Sequence, residues 1–187
     1  MRKVIIFHLV FFIFFLSNVS GTGEKWFRIY SLEGVSKPVS ANSLDGNEIF
    51  VCGSERVSGM DYNAFLLKVD EEGRVLSLNM FGGKNSDEIR GIVLTEDGGC
   101  VGVGTTFSVY SGYGSFWFVK LNRYGKVMWS KVLKVGELDV PYSIVRAVDG
   151  YYFSGKVFRK NYSGANFVFG KIDDSGNIVF FKRIGWY

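Results

Sequence analysis

Short segments rich in Val, Ile, Phe and Tyr follow one another along most of the chain, and turns containing glycine separate them. The segments are too short for ordinary helices, and their β-branched and aromatic residues favour strands. Twelve strands are predicted, over residues 39–44, 49–53, 64–70, 74–81, 90–95, 100–105, 115–122, 126–134, 142–148, 151–157, 166–173 and 177–184. Because tight turns join neighbouring strands, the pattern predicts an all-β protein built from antiparallel hairpins.

The strand pattern repeats along the chain. A lysine, an apolar residue, an Asp or Asn and a glycine three residues later recur in residues 68–75, 120–127 and 171–178, at intervals of 52 and 51 residues. Two further sets keep this phase: the Asp-Gly pairs that begin at Asp45, Asp97 and Asp149, and the Ser-Gly pairs that begin at Ser58, Ser111 and Ser163. Three sets in phase at one period indicate an internal repeat of four strands.

A four-stranded antiparallel unit of about 50 residues has the size of one β-propeller blade. We predict three blades, at about residues 35–83, 84–135 and 136–187, in a repeat region that spans 24–187. Residues 25–30 align with a leading fourth strand, and 184–187 align with the start of another repeat. Because closed propellers have about four to eight blades, the sequence predicts an incomplete propeller. Either two copies form a homodimer that closes a six-bladed ring, or the chain is a truncated remnant of a longer propeller protein.

The second unit carries the fullest set of repeat residues. These are Phe81-Gly82-Gly83, Asp87-Glu88, Ile92, Asp97-Gly98-Gly99, Gly102, Gly104, Gly112, Phe116-Trp117, Lys120, Gly125 and Trp129. The set resembles the repeats of secreted bacterial and archaeal β-propeller proteins of uncharacterised function. The third unit has Phe180 in place of Trp129, and the first has Val35 where Asp87 and Asp139 lie. The resemblance implies a propeller fold and export, but no particular activity.

The N-terminal segment differs from the repeats. Arg2 and Lys3 precede an apolar run over residues 4–16, and small or polar residues follow it. This order is typical of a secretory signal peptide, and the run is shorter than the roughly 20 residues that span a bilayer. Val19 and Gly21 predict cleavage after Gly21, so that residues 1–21 are the signal peptide. The mature chain is then secreted, periplasmic or on the cell surface; an uncleaved membrane anchor is the alternative.

Charge and histidine content exclude several functions. The net charge is +4, and basic and acidic residues are interspersed, so no nucleic-acid-binding patch is predicted. The single histidine, His8, lies in the predicted signal peptide. The repeats therefore have no histidine for a Ser-His-Asp or Cys-His nucleophile or for a zinc site. No catalytic set, cofactor or metal is predicted.

Several repeated polar residues have both a structural and a functional interpretation, and the structural one is favoured. The lysines Lys68, Lys120 and Lys171 are expected to pair with nearby carboxylates or to lie over apolar surface, rather than to form a ligand ring. The Asp-Gly aspartates are expected to stabilise hairpins rather than to bind calcium. Asp87-Glu88 and Asp139 are expected to hold turns rather than to act as glycosidase carboxylates.

The packing between blades is predicted from two further sets of residues. Trp26, Trp129 and Phe180 share one repeat position and are expected to fill the gaps between adjacent blades. Cys52 and Cys100 lie in consecutive blades at different repeat phases, which favours two free, buried thiols. A disulfide, which export would permit, is the alternative.

The loops over residues 106–114 and 158–164 are long and aromatic. Their tyrosines Tyr110, Tyr113 and Tyr162 are the candidate binding residues, because Tyr beside Gly and Ser is common on binding surfaces. The alternative is that these rings pack over the blade edge. The predicted function is an exported, non-catalytic module that binds an unknown protein or glycan. The alternatives are a propeller enzyme acting on carbohydrate or a quinone-dependent substrate, and a truncated remnant.

Overall fold

The computed structural model describes residues 36–43, 46–59, 61–110, 113–159 and 164–185, and the backbone of residues 11–12 and 29–30. The described residues form strands and no helix. In chain order the strands are β1 (Phe11–Phe12), β2 (Ile29–Tyr30), β3 (Ser36–Asn42), β4 (Glu48–Ser58), β5 (Asp61–Asp70), β6 (Val75–Phe81), β7 (Asp87–Leu94), β8 (Cys100–Thr106), β9 (Ser115–Leu121), β10 (Val127–Leu133), β11 (Leu138–Ala147), β12 (Gly150–Phe158), β13 (Ala165–Ile172) and β14 (Ile178–Ile184). Among these residues, no helix is long and apolar enough to cross a membrane.

Strands β3 to β14 form three four-stranded antiparallel sheets, each a simple meander in chain order. We name them sheet 1 (β3–β6), sheet 2 (β7–β10) and sheet 3 (β11–β14). The predicted fold class, three propeller-type blades in an incomplete propeller, is therefore confirmed. Strands β1 and β2 form a separate antiparallel pair. The rest of the predicted leading strand and of the predicted signal peptide lies outside the described residues.

The last hairpin of each sheet has the same turn. The side chains of Asp70, Asn122 and Asp173 each accept hydrogen bonds from the backbone N–H groups two and four residues later. A glycine then adopts a positive φ, of 74° at Gly73, 77° at Gly125 and 79° at Gly176. Only glycine adopts this conformation at little cost, which explains why the Asp/Asn-x-x-Gly pattern recurs.

The first strand of each sheet begins earlier than predicted. Its register with the second strand shifts between Pro38 and Ser40, between Ile89 and Gly91, and between Pro141 and Ser143. The residues inside these bulges are Val39, Arg90 and Tyr142. These are the residues at which the predicted strands began, because a bulge breaks the alternation from which a strand is recognised. The predicted starts are therefore wrong: each of these strands begins three or four residues before its predicted start.

The register also corrects one position of the repeat alignment. Ser36 pairs with Glu55, Asp87 with Thr106 and Asp139 with Val157. Ser36, not Val35, therefore lies where Asp87 and Asp139 lie. In sheet 1 the buried carboxylate comes instead from the neighbouring strand, since the Ser36 hydroxyl donates to the Glu55 carboxylate.

Adjacent sheets pack face to face. We call the side of a sheet that points to the next sheet its forward face and the opposite side its rear face. The forward face of sheet 1 and the rear face of sheet 2 form one buried cluster: Phe50, Cys52, Ala64, Leu66, Ile89, Ile92, Leu94, Cys100, Trp117, Val119 and Leu121. Sheet 2 is thus covered on its rear face.

The forward face of sheet 2 packs against the rear face of sheet 3. This second cluster contains Val101, Val103, Phe116, Phe118, Ile144, Tyr151, Phe153, Val157, Val168 and Ile172. The ring centroid of Phe153 lies 4.8 Å from that of Phe118 and 5.7 Å from that of Phe116. Each fully buried ring of this kind stabilises the fold by about 1.5–3 kcal/mol.

The predicted role of Trp129 between blades is confirmed. Trp129 packs against the cluster between sheets 2 and 3, and its Nε1 donates to the carbonyl oxygen of Asp174, 3.1 Å away. A Cβ on Gly176 would lie 2.8 Å from the indole, so the indole fits only against a glycine. Phe180 holds the same repeat position in sheet 3, where it contacts Tyr152 and Phe169 of its own sheet. Trp26 lies outside the described residues.

A pair of repeat-equivalent substitutions tests this packing. Phe116 is fully buried between sheets 2 and 3, whereas Phe167, at the same position in sheet 3, is 48% exposed. We expect Phe116→Ala to lower the free energy of unfolding by about 3–5 kcal/mol because it leaves a cavity. Phe167→Ala should cost under about 1 kcal/mol in dilute solution. Urea unfolding of both variants measures the difference, and equal losses would refute the assignment of the two faces.

Candidate functional site

The loop between β8 and β9 is attached to sheet 3. Gly114 forms a parallel β-bridge with Leu138, and the Asp139 N–H donates to the Gly114 carbonyl oxygen over 3.0 Å. The Thr105 hydroxyl also donates to the Asp139 carbonyl oxygen, 3.1 Å away. Sequence-distant parts of two sheets therefore form one rim of the molecule, and Gly114 fixes the described end of the loop on it.

Two of the three candidate tyrosines lie on this loop and are 45% exposed each. The Tyr113 N–H donates to the Tyr110 carbonyl oxygen over 3.1 Å, which closes a turn. The Lys134 ammonium lies 4.9 Å from the centre of the Tyr113 ring. Tyr113 thus packs partly against a neighbouring element and still presents ring surface to solvent. Tyr162 lies outside the described residues.

Lys134 connects the β8–β9 loop to the turn between β10 and β11. Its ammonium donates to the carbonyl oxygens of Gly114, 3.2 Å away, and Glu137, 3.0 Å away. Burial lowers the pKa of Lys134, while Asp139 and Glu137 act in the opposite direction. The β8–β9 loop and the β10–β11 turn, which contains Glu137, are therefore parts of one continuous surface.

A cleft of about 370 Å³ opens beside this turn. Its lining residues are Val135, Gly136, Glu137, Val157, Phe158, Arg159, Asn166 and Arg183. The volume is at the lower end of the range for small-molecule sites. Arg159 donates to the Asn166 side-chain oxygen over 3.4 Å, and Asn166 is 7% exposed. The cleft is thus lined by two guanidinium groups, one carboxylate and one amide.

The buried carboxylate of Asp139 holds the turn that forms one wall of the cleft. Its two oxygens accept hydrogen bonds from the N–H groups of Val135 and Gly136, both 2.8 Å long. Burial raises the pKa of Asp139, although these hydrogen bonds and the nearby charges of Lys134 and Arg183 lower it. The carboxylate is committed to the backbone of the turn, as the structural interpretation predicts.

Asp87 has the same role in sheet 2. It accepts hydrogen bonds from the Gly83 N–H at 2.6 Å and from the Ser108 hydroxyl at 2.8 Å. Its neighbour Glu88 forms a salt bridge with Arg90, with an N–O distance of 2.7 Å. The contacts of Asp87 support the turn-holding interpretation over a glycosidase-like one, whereas Glu88 pairs with a residue of its own strand.

The repeated lysines pair with carboxylates, which confirms their structural interpretation. Lys68 lies 2.6 Å from Glu48 and Lys120 lies 3.6 Å from Asp97, while Lys171 forms a shorter ion pair with Asp149. The ammonium of Lys68 also lies 5.1 Å from the centre of the Phe50 ring. Each lysine thus stabilises its own sheet.

The Asp-Gly aspartates take part in turn contacts. Asp97 accepts hydrogen bonds from the Thr95 hydroxyl and, over 3.2 Å, from the Gly99 N–H. Asp149 pairs with Lys171. Asp45 lies outside the described residues. The described portion holds no group of three or more His, Cys, Asp or Glu side chains that could hold a metal ion.

Both cysteines are free and buried, as predicted. Cys52 and Cys100 belong to the cluster between sheets 1 and 2 and are 0% and 1% exposed. Burial raises the pKa of each thiol to about 12. Both therefore remain protonated at neutral pH and act as small apolar side chains.

The arginines of the cleft were missed by the sequence reasoning. Register places Arg159 and Arg183 at the repeat positions held by Ser108 and Val132 in sheet 2. The repeat therefore does not require a charge at either position. A search for charged residues that depart from the repeat, rather than for those that recur, would have found them.

Comparisons with known proteins add little to the function. No family model and no curated protein matches the chain. Several solved structures resemble it at low identity. They include cobalt-substituted Synechocystis ACO (10% identity, TM-score 0.49), an ACO/RPE65 chimera (11%, 0.46) and a variant of Synechocystis apocarotenoid oxygenase (11%, 0.46). Each match covers 79% of this chain and 38% of the other, so the chain spans well under half of their length. Likenesses this distant carry no inference about activity.

The pKa values of the buried carboxylate Asp139 and the turn carboxylate Asp173 should be shifted in opposite directions. Burial raises the pKa of Asp139, whereas hydrogen bonds from the Asn177 and Ser175 N–H groups lower that of Asp173. A carboxyl-detected NMR titration should therefore give Asp139 the higher midpoint, with Asp139→Asn removing that titration. The reverse order would contradict the geometry of the turn.

The same shifts predict opposite effects of pH on stability. Asp139 contributes stability that is fully present below its unfolded pKa and is lost as the pH rises through its folded pKa. Asp173 contributes stability above its unfolded pKa, which is lost as the pH falls through its folded pKa. Urea unfolding of Asp139→Asn across the acid range measures the first effect. The difference in unfolding free energy between this variant and the unsubstituted chain should change between the unfolded and the folded pKa of Asp139.

Proposed function

We propose that this chain is a non-catalytic binding module of propeller blades, and that it binds an acidic glycan on the rim formed by the β8–β9 loop and the sheet 3 cleft. The observation that carries the proposal is the position of two half-exposed tyrosines, Tyr110 and Tyr113, beside a cleft lined by two arginines. Lys134 contacts both parts, which makes them one surface.

The aromatic half of the rim suits a ligand with flat, partly apolar surfaces. Tyrosine offers a large, rigid contact area that loses little conformational entropy on binding, and its hydroxyl adds a polar contact. The β-bridge between Gly114 and Leu138 and the hydrogen bonds of Lys134 fix one end of the loop in advance. A loop held in place before binding gives a higher affinity than one that must become ordered.

The charged half of the rim suits a ligand that carries a carboxylate and hydroxyl groups. A guanidinium binds a carboxylate through two parallel hydrogen bonds, and the cleft has two, from Arg159 and Arg183. Glu137 and Asn166 can pair with hydroxyl groups. A glycan with an acidic sugar unit combines these features, whereas a peptide with acidic side chains is the rival ligand in the test below.

The non-catalytic nature of the module is proposed from the roles of its polar residues. The single histidine, His8, precedes the repeats. Asp87 and Asp139 are committed to turns. Export is proposed from the N-terminal segment alone, and N-terminal sequencing of the exported protein should begin at Thr22.

Substitutions on the proposed rim, with controls in the β9–β10 turn, test the site. We expect Tyr110→Ala and Tyr113→Ala each to weaken binding of trigalacturonate by about tenfold, as for moderate interface hot spots. Tyr124→Ala is the matched control, because Tyr124 is 77% exposed but lies in the β9–β10 turn. Arg183→Gln should weaken trigalacturonate binding and leave binding of a neutral galactose trisaccharide unchanged. Arg123→Gln is its control, because Arg123 lies in the β9–β10 turn and does not line the cleft. Isothermal titration calorimetry measures all of these affinities.

Three outcomes of the calorimetry would contradict the proposal. One is that neither trisaccharide binds. Another is that Tyr124→Ala weakens binding as much as Tyr113→Ala does. The third is that an acidic peptide binds at this rim and trigalacturonate does not, which would assign the rim to a protein partner.

A further inference from the structure

A glycine and an asparagine lie against each other at the same place in sheets 1 and 3. Gly82 follows the last strand of sheet 1, and a Cβ on it would lie 2.8 Å from the side-chain oxygen of Asn63. Gly185 follows the last strand of sheet 3, and a Cβ on it would lie 2.2 Å from the side-chain oxygen of Asn166. Neither position has room for a side chain beside the asparagine, which explains why glycine recurs there.

Sheet 2 differs from the other two sheets at both positions. The register places Lys134 at the position of the two glycines and Ser115 at the position of the two asparagines. Lys134 is half-buried and Ser115 is fully buried. Because serine is smaller than asparagine, the change at Ser115 leaves room for the stem of the lysine. The two substitutions therefore form a coupled pair.

The lysine that enters at this place is bound to the β8–β9 loop and to the turn before β11. Its ammonium donates to the carbonyl oxygens of Gly114, 3.2 Å away, and Glu137, 3.0 Å away, and lies 4.9 Å from the centre of the Tyr113 ring. Two of its three N–H groups are therefore used by backbone carbonyls. The repeated lysines, by contrast, pair with carboxylates of their own sheets.

A further difference lies next to Ser115. The residue before it is Gly114, and the same position holds Tyr62 in sheet 1 and Ala165 in sheet 3. A Cβ on Gly114 would lie 2.4 Å from the Cδ1 of Leu138, with which Gly114 forms its β-bridge. Only glycine allows the loop to approach sheet 3 this closely.

We propose that Lys134 is the positioning residue of the proposed rim. It holds Tyr113 and the described end of the β8–β9 loop in the orientation that binds the ligand, and Gly114 and Ser115 allow it to do so. The fold does not require these three residues, since sheets 1 and 3 form the same four-stranded meander without them. Lys134 acts through the loop and does not contact the ligand. Its effect on affinity rests on the proposed function, because a loop ordered before binding loses less conformational entropy.

A double variant of the exported chain, Ser115→Asn with Lys134→Gly, gives sheet 2 the arrangement of sheets 1 and 3. The urea midpoint should change little, because the chain already folds with this pair twice. The N–H groups of Tyr113 and Asp139, which donate to the carbonyl oxygens of Tyr110 and Gly114, should exchange at least about tenfold faster. Trigalacturonate should bind about tenfold more weakly, because the binding-competent loop becomes a minor population. Hydrogen exchange by NMR and isothermal titration calorimetry measure the two effects.

A second variant keeps the backbone of the turn unchanged. Lys134→Met retains most of the apolar stem and removes only the ammonium, so it should reproduce both effects even if the double variant does not fold. Lys126→Met is the matched control, because it removes the same charge from the exposed β9–β10 turn and should change neither measurement. Circular dichroism must first show native-like strand content in each variant.

The outcomes separate this proposal from the proposed function. Unchanged exchange at Tyr113 and Asp139 in Lys134→Met would overturn the positioning role. Faster exchange with an unaltered affinity for trigalacturonate would overturn it as well, since binding would then not depend on the position of the loop. If the unsubstituted chain does not bind trigalacturonate, the proposed ligand is wrong. Faster exchange in Lys134→Met would still assign the position of the loop to Lys134.

Discussion

The structure depends on the face-to-face packing of adjacent four-stranded sheets. A single sheet has two apolar faces and cannot cover either by itself. Sheet 2 is covered on both: Trp117 and Val119 lie in the cluster shared with sheet 1, and Phe116 and Phe118 in the cluster shared with sheet 3. The repeat exists because every sheet must offer one face to the sheet before it and one to the sheet after it.

The proposed binding rim depends on the same packing. The β8–β9 loop belongs to sheet 2 and the cleft belongs to sheet 3, and Gly114 and Lys134 join them. Their distance and orientation are set by how the two sheets pack. The hairpin turns and the lysine–carboxylate pairs act within single sheets, so they support the strands without positioning the rim. This division separates the repeated residues from Tyr110, Tyr113, Arg159 and Arg183, which the repeat does not require.

What could be predicted from the sequence follows from that division. Strand alternation, the turn glycines and the pairing of Lys68 and Lys171 were predictable because each is a local pattern that recurs in phase. The starts of the first strands were not, because a bulge at Val39, Arg90 and Tyr142 breaks the alternation. The cleft was not predictable from the sequence either. Arg183 is an ordinary surface residue in sequence, and only the pairing of β13 with β14 brings it beside Asn166 and Arg159.

Amide hydrogen exchange of the chain in dilute solution tests most directly whether packing against neighbouring sheets stabilises the fold. The informative comparison is between β9 and β13, the third strands of sheets 2 and 3, because both lie inside their sheets and differ in how their forward faces are covered. The account predicts slower exchange in β9 than in β13, since β9 lies in a sheet packed on both faces. Exchange in β13 that is as slow as in β9, or slower, would contradict it.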